Sequence, residues 1–138
     1  MEYHEMEIRA VYAHKLNELI QKNPNILCLE ADLSKASGTP IVKEQHPKNF
    51  LDCGVQEANM ICVGAGLAKE GKIPFCASFT CFVTRRVYDQ VMISAAYANN
   101  NVKIVGTWAG LTQGPNGGTH MFFQDIALMR VMPNMHVY

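Results

Sequence analysis

This sequence is short of charge. Only 17% of its 138 residues are Asp, Glu, Lys or Arg, against about a quarter in an ordinary soluble domain, while 49% are hydrophobic. A chain of this length buries roughly two thirds of its unfolded surface by itself. So few charges imply more burial than that, and a second subunit is the simple explanation. Formal net charge is zero and no basic run occurs, Arg85-Arg86 being a pair and not a patch. That excludes the electrostatic footprint of a nucleic-acid binder. The longest apolar run, Met60 to Ala68, is far short of the roughly 20 residues that span a bilayer. The opening Met1-Glu2-Tyr3-His4-Glu5 is polar and acidic, unlike a signal peptide. The five cysteines, Cys28, Cys53, Cys62, Cys76 and Cys81, form no CxxC pair and are odd in number. They read as buried, reduced thiols of a cytoplasmic protein.

What is present is an alternation of two periodicities. Ile8, Val11, Tyr12, Leu16, Leu19 and Ile20 recur at helical spacing, predicting a helix from about Glu5 to Lys22 that Asn23-Pro24 ends. Strands are expected at 25–30, 49–52, 73–78, 102–107 and, beginning at Met135, 135–138. Helices are expected at 55–69, 80–97 and 122–131, with Ala31 to Pro40 and Ala109 to Thr119 as loops. Helix 55–69 carries Ala58, Gly64, Ala65, Gly66 and Ala68, small enough for a sheet or another helix to approach closely. Val102 to Thr107 is almost continuously apolar, as in a parallel sheet. The alternation implies one α/β domain over 1–138, a three-layer sandwich with a mostly parallel central sheet and helices on both faces. In such folds ligands lie beyond the carboxyl ends of the strands. The loops at 31–40, 52–57 and 107–120 are therefore where function is to be sought.

Three features stand out there. Glu57, in GVQEANM (54–60), opens an apolar helix just after a strand. An acid at that end can simply complement the helix dipole. The apolar stretch that follows it, however, predicts burial and a proton-sharing role. Phe79 and Phe82 are three apart where a strand passes into a helix; they are either core or a wall on which a flat ring stacks. GPNGGTH (114–120) is a glycine-shaped loop closed by His120. That residue is either structural or, at a strand end, a ligand-binding imidazole.

Taken in order, GVQEANM, SFTCFVTRR with YDQ, AGLTQGPNGGTH and DIALMRVMPNM resemble transketolases. More narrowly they resemble the pyrimidine-binding domain of the split, two-subunit forms, from the loop ADLSKASGT (31–39) to Met135. The resemblance implies thiamine diphosphate as cofactor, with its diphosphate and Mg²⁺ held by a GDG-bearing N-terminal-section subunit, since no such motif occurs here. It implies a homodimer or heterotetramer acting on a small-molecule substrate, in the cytoplasm, with neither nucleic acid nor membrane as partner. Split subunits of this kind continue into a further C-terminal domain.

Residue by residue, the resemblance implies that Glu57 hydrogen-bonds a pyrimidine nitrogen. The exocyclic nitrogen of the ring can then take the thiazolium C2 proton. Phe79 and Phe82 would line the pyrimidine pocket, and Asp32 would lie on the thiazolium side. Arg85 stands where many relatives have a tyrosine over the ring. His120 would contact the donor sugar. Three departures are informative. Pro115-Asn116 replaces an acidic pair, leaving Asn116 as an uncharged donor-sugar contact. Trp108 replaces a histidine that contacts the acceptor phosphate. Ala36 replaces a serine near that phosphate, with Ser37 adjacent. Losing two phosphate donors and gaining an indole face points to an apolar or unphosphorylated substrate. The expected activity is transfer of a two-carbon ketol unit between sugars or sugar-like compounds. The alternatives are a relative acting on pyruvate or another 2-oxo acid, of deoxyxylulose-phosphate synthase or dehydrogenase β-subunit type, and a non-catalytic association domain.

Overall fold

The computed structural model describes residues 6–138. The expected helix start at Glu5 lies outside them. Helix α1 runs Ile8–Lys22 and leads into β1 (Ile26–Glu30), followed by α2 (Ser34–Ser37), α3 (Pro40–Gln45) and β2 (Phe50–Asp52). Then come α4 (Glu57–Lys69), β3 (Ile73–Phe79), α5 (Thr80–Val83) and α6 (Tyr88–Gln90). The last continues as a π-helical segment, Val91–Tyr97, before β4 (Lys103–Thr107) and α7 (Asp125–Arg130). The sheet has the order β2-β1-β3-β4 and every pairing is parallel.

Successive residues of a strand face opposite sides of the sheet, and β1 separates two cores accordingly. Cys28 joins Leu16, Ile20 and Val42 under α1 and α3. Leu29 joins Met60, Ile61, Cys76, Val87 and Val91 under α4 and the π-helical segment. Three layers result, as the alternation of periodicities predicts.

Several details differ from expectation. The loop at 31–40 folds into the short α2 and the start of α3. The helix expected over 80–97 breaks between Val83 and Tyr88. The hydroxyl of Thr84 back-bonds to the Thr80 carbonyl at 2.5 Å, and the Arg86 amide reaches the carbonyl of Cys81, five residues back. Both compete with regular helical bonding. The stretch expected to form a strand from Met135 is coil, and β4, expected to be buried, is an edge strand on which only Thr107 is buried. A groove of about 510 Å³ runs along that edge, lined by Ile104, Ile126, Met129, Met135 and Val137, none of them an expected site residue. Of the five free cysteines only Cys28, Cys76 and Cys81 are buried; Cys62 is exposed on the outer face of α4. Burial pushes the Cys76 thiol up to about 12, which makes it inert.

The small residues of α4 divide by face. A Cβ on Gly64 would stand 2.7 Å from the Cys76 sulfur, whereas one on Gly66 meets nothing within 4 Å. Gly64 is thus what lets α4 lie on β3. Gly64→Ala is expected to cost about 1–3 kcal/mol by overpacking. Gly66→Ala should be neutral or slightly stabilising because alanine favours helix. Urea unfolding of the two variants checks this; equal midpoints would refute the contact.

Candidate functional site

The carboxyl ends of the four strands deliver Glu30, Asp52, Phe79 and Thr107 to one edge of the sheet. The loops beyond them are tied to one another. The Asp52 carboxylate accepts from the amides of Asp32 and Gly54, both at 2.9 Å. The Thr80 hydroxyl donates to the Thr107 carbonyl at 2.9 Å and the Thr107 hydroxyl to the Ser78 carbonyl at 3.2 Å. Trp108 Nε1 donates to the Ala36 carbonyl at 3.1 Å, joining the loop after β4 to α2. Asp32 (φ 60°) and Trp108 (φ 55°), the residues two beyond β1 and one beyond β4, both hold a left-handed backbone. Non-glycine residues reach that conformation at a cost of order 1–3 kcal/mol and do so preferentially at functional sites.

Glu57 is the first residue of α4 and only 3% exposed. The helix N-terminus favours its negative charge, and two side chains address its oxygens. Ser78 donates to Oε1 at 3.4 Å and Arg86 to Oε2 at 3.1 Å. Beside it stand the aromatic rings. Phe79 and Phe82 are 5.7 Å apart and tilted by 35°. His120 meets both edge-on, at 5.9 Å and 5.2 Å, and Thr119 Oγ1 lies 2.8 Å from its Nδ1. Glu57, Phe79, Phe82 and His120 therefore converge from three separate segments of the chain. Trp108 packs into the same apolar cluster as Phe79 and Phe82. A flat group already occupies this place: the Arg86 guanidinium lies 3.7 Å from the Phe82 ring centroid. A planar cation thus lies between the Phe82 face and the Glu57 carboxylate.

Other expected site residues are placed differently. Arg85 does not lie over Phe82. Its guanidinium sits 5.1 Å over the Phe122 ring and donates to the Thr119 carbonyl at 3.4 Å, clamping the glycine-rich loop. Ser37 turns inward, fully buried, and donates to Glu30 Oε2 at 3.3 Å. The reason is Glu30, a carboxyl with no exposure at the end of β1, which needs donors and takes Thr39 as well, at 2.6 Å. Asn116 sits in a 3₁₀ turn at Gly114–Asn116 and donates to the buried Gln113 at 2.5 Å. Asp32 is exposed at the rim.

Four residues that matter here were not singled out from the sequence. Glu30 carried a signal, an acid closing an apolar strand. Ser78 carried none. Arg86 stood in plain view as half of Arg85-Arg86. Arg9, on α1, lies 4.9 Å over the Trp108 ring and donates to the Ala36 carbonyl at 3.2 Å; nothing in α1 alone ties it to a loop 27 residues on. Among the described residues no group of three or more His, Cys, Asp or Glu is placed to hold a metal ion, and no helix is long and apolar enough to cross a membrane.

The three-layer α/β domain with its all-parallel sheet has the fold of the transketolase domains among solved structures. The family model for the transketolase pyrimidine-binding domain matches residues 4–138, and the chain belongs to that family. It is 51% identical over 131 residues to the 6-deoxy-6-sulfo-D-fructose transketolase subunit of a Clostridium species, covering 95% of this chain and 41% of the relative. It is 43% identical over 130 residues to a putative transketolase C-terminal section of Methanocaldococcus jannaschii, covering 94% and 41%. Among solved structures, one described as a split gene transketolase, inactive beta4 tetramer, superposes with a TM-score of 0.79 at 41% identity, over 91% of this chain and 40% of that one. Transketolase from Campylobacter jejuni, 22% identical, shares the fold with a TM-score of 0.84 over 97% and 22%. The chain thus spans about two fifths of the length of the split relatives it matches. Thiamine diphosphate is the cofactor that membership of this family implies.

Proposed function

We propose that this chain is the pyrimidine-binding part of a two-subunit, thiamine-diphosphate-dependent transketolase that moves a two-carbon ketol unit between sugars or sugar-like compounds. The observation that carries the reading is the buried Glu57 carboxylate set against the tilted Phe79–Phe82 pair. When bound, the cofactor would supply the nucleophilic chemistry of ketol transfer. The chain's own residues do the rest. Glu57, held by the helix N-terminus, shares a proton with a nitrogen of the ring. The two phenylalanines stack on the ring and exclude water from that proton. His120, fixed at Nδ1 by Thr119, keeps its other ring nitrogen for a donor hydroxyl, and Asn116 offers a second contact. The diphosphate and its Mg²⁺ fall to a partner subunit. The solved split relative described as an inactive tetramer of its β chain supports the need for such a partner.

The Trp108 end of the site favours an unphosphorylated substrate. Trp108 and Ala36 stand where the resemblance puts groups that contact the acceptor phosphate, and the Arg9 guanidinium is seated on that indole. The sugar in the name of the Clostridium relative, a 6-deoxy-6-sulfo-D-fructose, has an anionic end of another kind. The transketolase relatives favour this reading over action on 2-oxo acids. The test mixes the subunit with its co-purified partner, with and without thiamine diphosphate and Mg²⁺. Fructose 6-phosphate, 6-deoxy-6-sulfo-D-fructose and pyruvate are then offered as donors. Cofactor-dependent turnover of a ketose, with the sulfonated sugar preferred, is expected; turnover of pyruvate alone would overturn the reading.

A further inference from the structure

The reading above places a flat heterocycle against Phe82 with one nitrogen on Glu57. Another flat group already has that relation. The carbon at the centre of the Arg86 guanidinium lies 3.7 Å from the Phe82 centroid, and Nη1 of the same group donates to Glu57 Oε2 at 3.1 Å. A guanidinium is planar, stacks on aromatic faces and presents N–H donors in its own plane. An aminopyrimidine shares the flat face and the in-plane hydrogen bonding. Phe79 and His120 crowd the rest of the Phe82 ring, at 5.7 and 5.2 Å. Two planar groups cannot lie on one ring face at once.

We propose that Arg86 is a built-in occupant of the pyrimidine subsite, which the cofactor must displace in order to bind. The inference rests on the functional reading above and adds a competitor to it. What holds Arg86 in place is the carboxylate. Glu57 is 3% exposed, and among the described residues its carboxylate is met, besides Arg86, only by Ser78 at the long distance of 3.4 Å. A buried carboxylate stripped of its cation is strongly destabilised. What lets Arg86 leave is its own exposure: 48% of its side chain faces water, so it loses little solvation on either side of the exchange. The break after α5 serves the same end, because it puts Arg86 in an irregular turn and not in a helix that fixes its direction. Arg85, clamped on Thr119 and Phe122, takes no part. Arg86 thus keeps the Glu57 carboxylate paired until a ring takes its place. The cofactor's apparent affinity is lowered by the fraction of subunits in which Arg86 is seated.

The experiment is calorimetric titration of thiamine diphosphate with Mg²⁺ into the assembled two-subunit complex, for wild type, Arg86→Ala and Arg86→Lys. Arg86→Ala is expected to bind on the order of tenfold tighter, and its ligand-free form to melt at lower temperature. Arg86→Lys keeps a charge at Glu57, and with it the fold, but lacks the planar fork. It is expected to bind tighter than wild type by a smaller factor, roughly threefold on the same population argument. Unchanged or weaker binding in both variants, with wild type binding normally, overturns the inference and leaves the functional reading standing. No binding by any of the three proteins overturns the reading and the inference together.

Discussion

Glu57→Gln is expected to lower turnover of the assembled enzyme by about 10² to 10⁴, the range over which positioned acid–base groups act. Folding and subunit assembly should be retained. The amide keeps nearly the size and shape of the carboxylate, so packing at the start of α4 changes little, and Ser78 keeps an oxygen to donate to. What disappears is the capacity to hold a proton in common with a ring nitrogen. The helix N-terminus and the Arg86 contact at 3.1 Å both favour a negative charge at this spot, and neither is served by an amide. Steady-state rates on the reconstituted complex, alongside a circular dichroism spectrum of the variant subunit, measure both parts. A variant that turns over within a few fold of wild type would remove Glu57 from the chemistry.

The second large effect concerns Glu30 and is one of stability. Burial pushes its carboxyl up from an ordinary 4.5 to about 7; the Thr39 and Ser37 hydroxyls pull the other way, and Asp52 adds to the rise. A group whose pKa is higher folded than unfolded binds protons more strongly in the folded state. Its contribution is therefore complete below about 4.5, falls as pH rises to about 7, and stays lost above that. The loss is about 3 kcal/mol across the window. Glu30→Gln keeps an acceptor oxygen for Thr39, turns an NH2 donor toward the Ser37 hydroxyl and removes the charge. It is expected to flatten the decline between about pH 4.5 and 7 and to be the more stable protein above it. Urea unfolding of both proteins at several pH values checks this, since every other titrating group cancels in the difference. Parallel profiles would mean that Glu30 is not the group responsible.

The elements whose order defines the fold were legible because each is apolar in its own period. β1 reads as a short continuous run and α1 as a stripe, and β3 ends where the phenylalanine pair begins. Glu57 was legible for a local reason, an acid opening an apolar helix after a strand. What escaped was set by contacts distant in sequence. Ser37 looked like a site hydroxyl, yet a buried acid seven residues earlier claims it. Arg85 and Arg86 are indistinguishable as letters. Only the break after α5 sends one to Phe122 and the other to Glu57. The apolar run of β4 could not reveal that it lies at an edge, because an edge and a central parallel strand differ in neighbours and not in composition.

The claim on which the rest depends is that the Glu57 carboxylate drives loss of the C2 proton from the cofactor. Nuclear magnetic resonance of the reconstituted complex in deuterated buffer measures that step directly, as the rate at which deuterium enters the C2 position before any sugar is added. Glu57→Gln should slow the exchange by about 10² to 10⁴ relative to wild type at equal cofactor occupancy. Exchange at the wild-type rate in the variant would contradict the account.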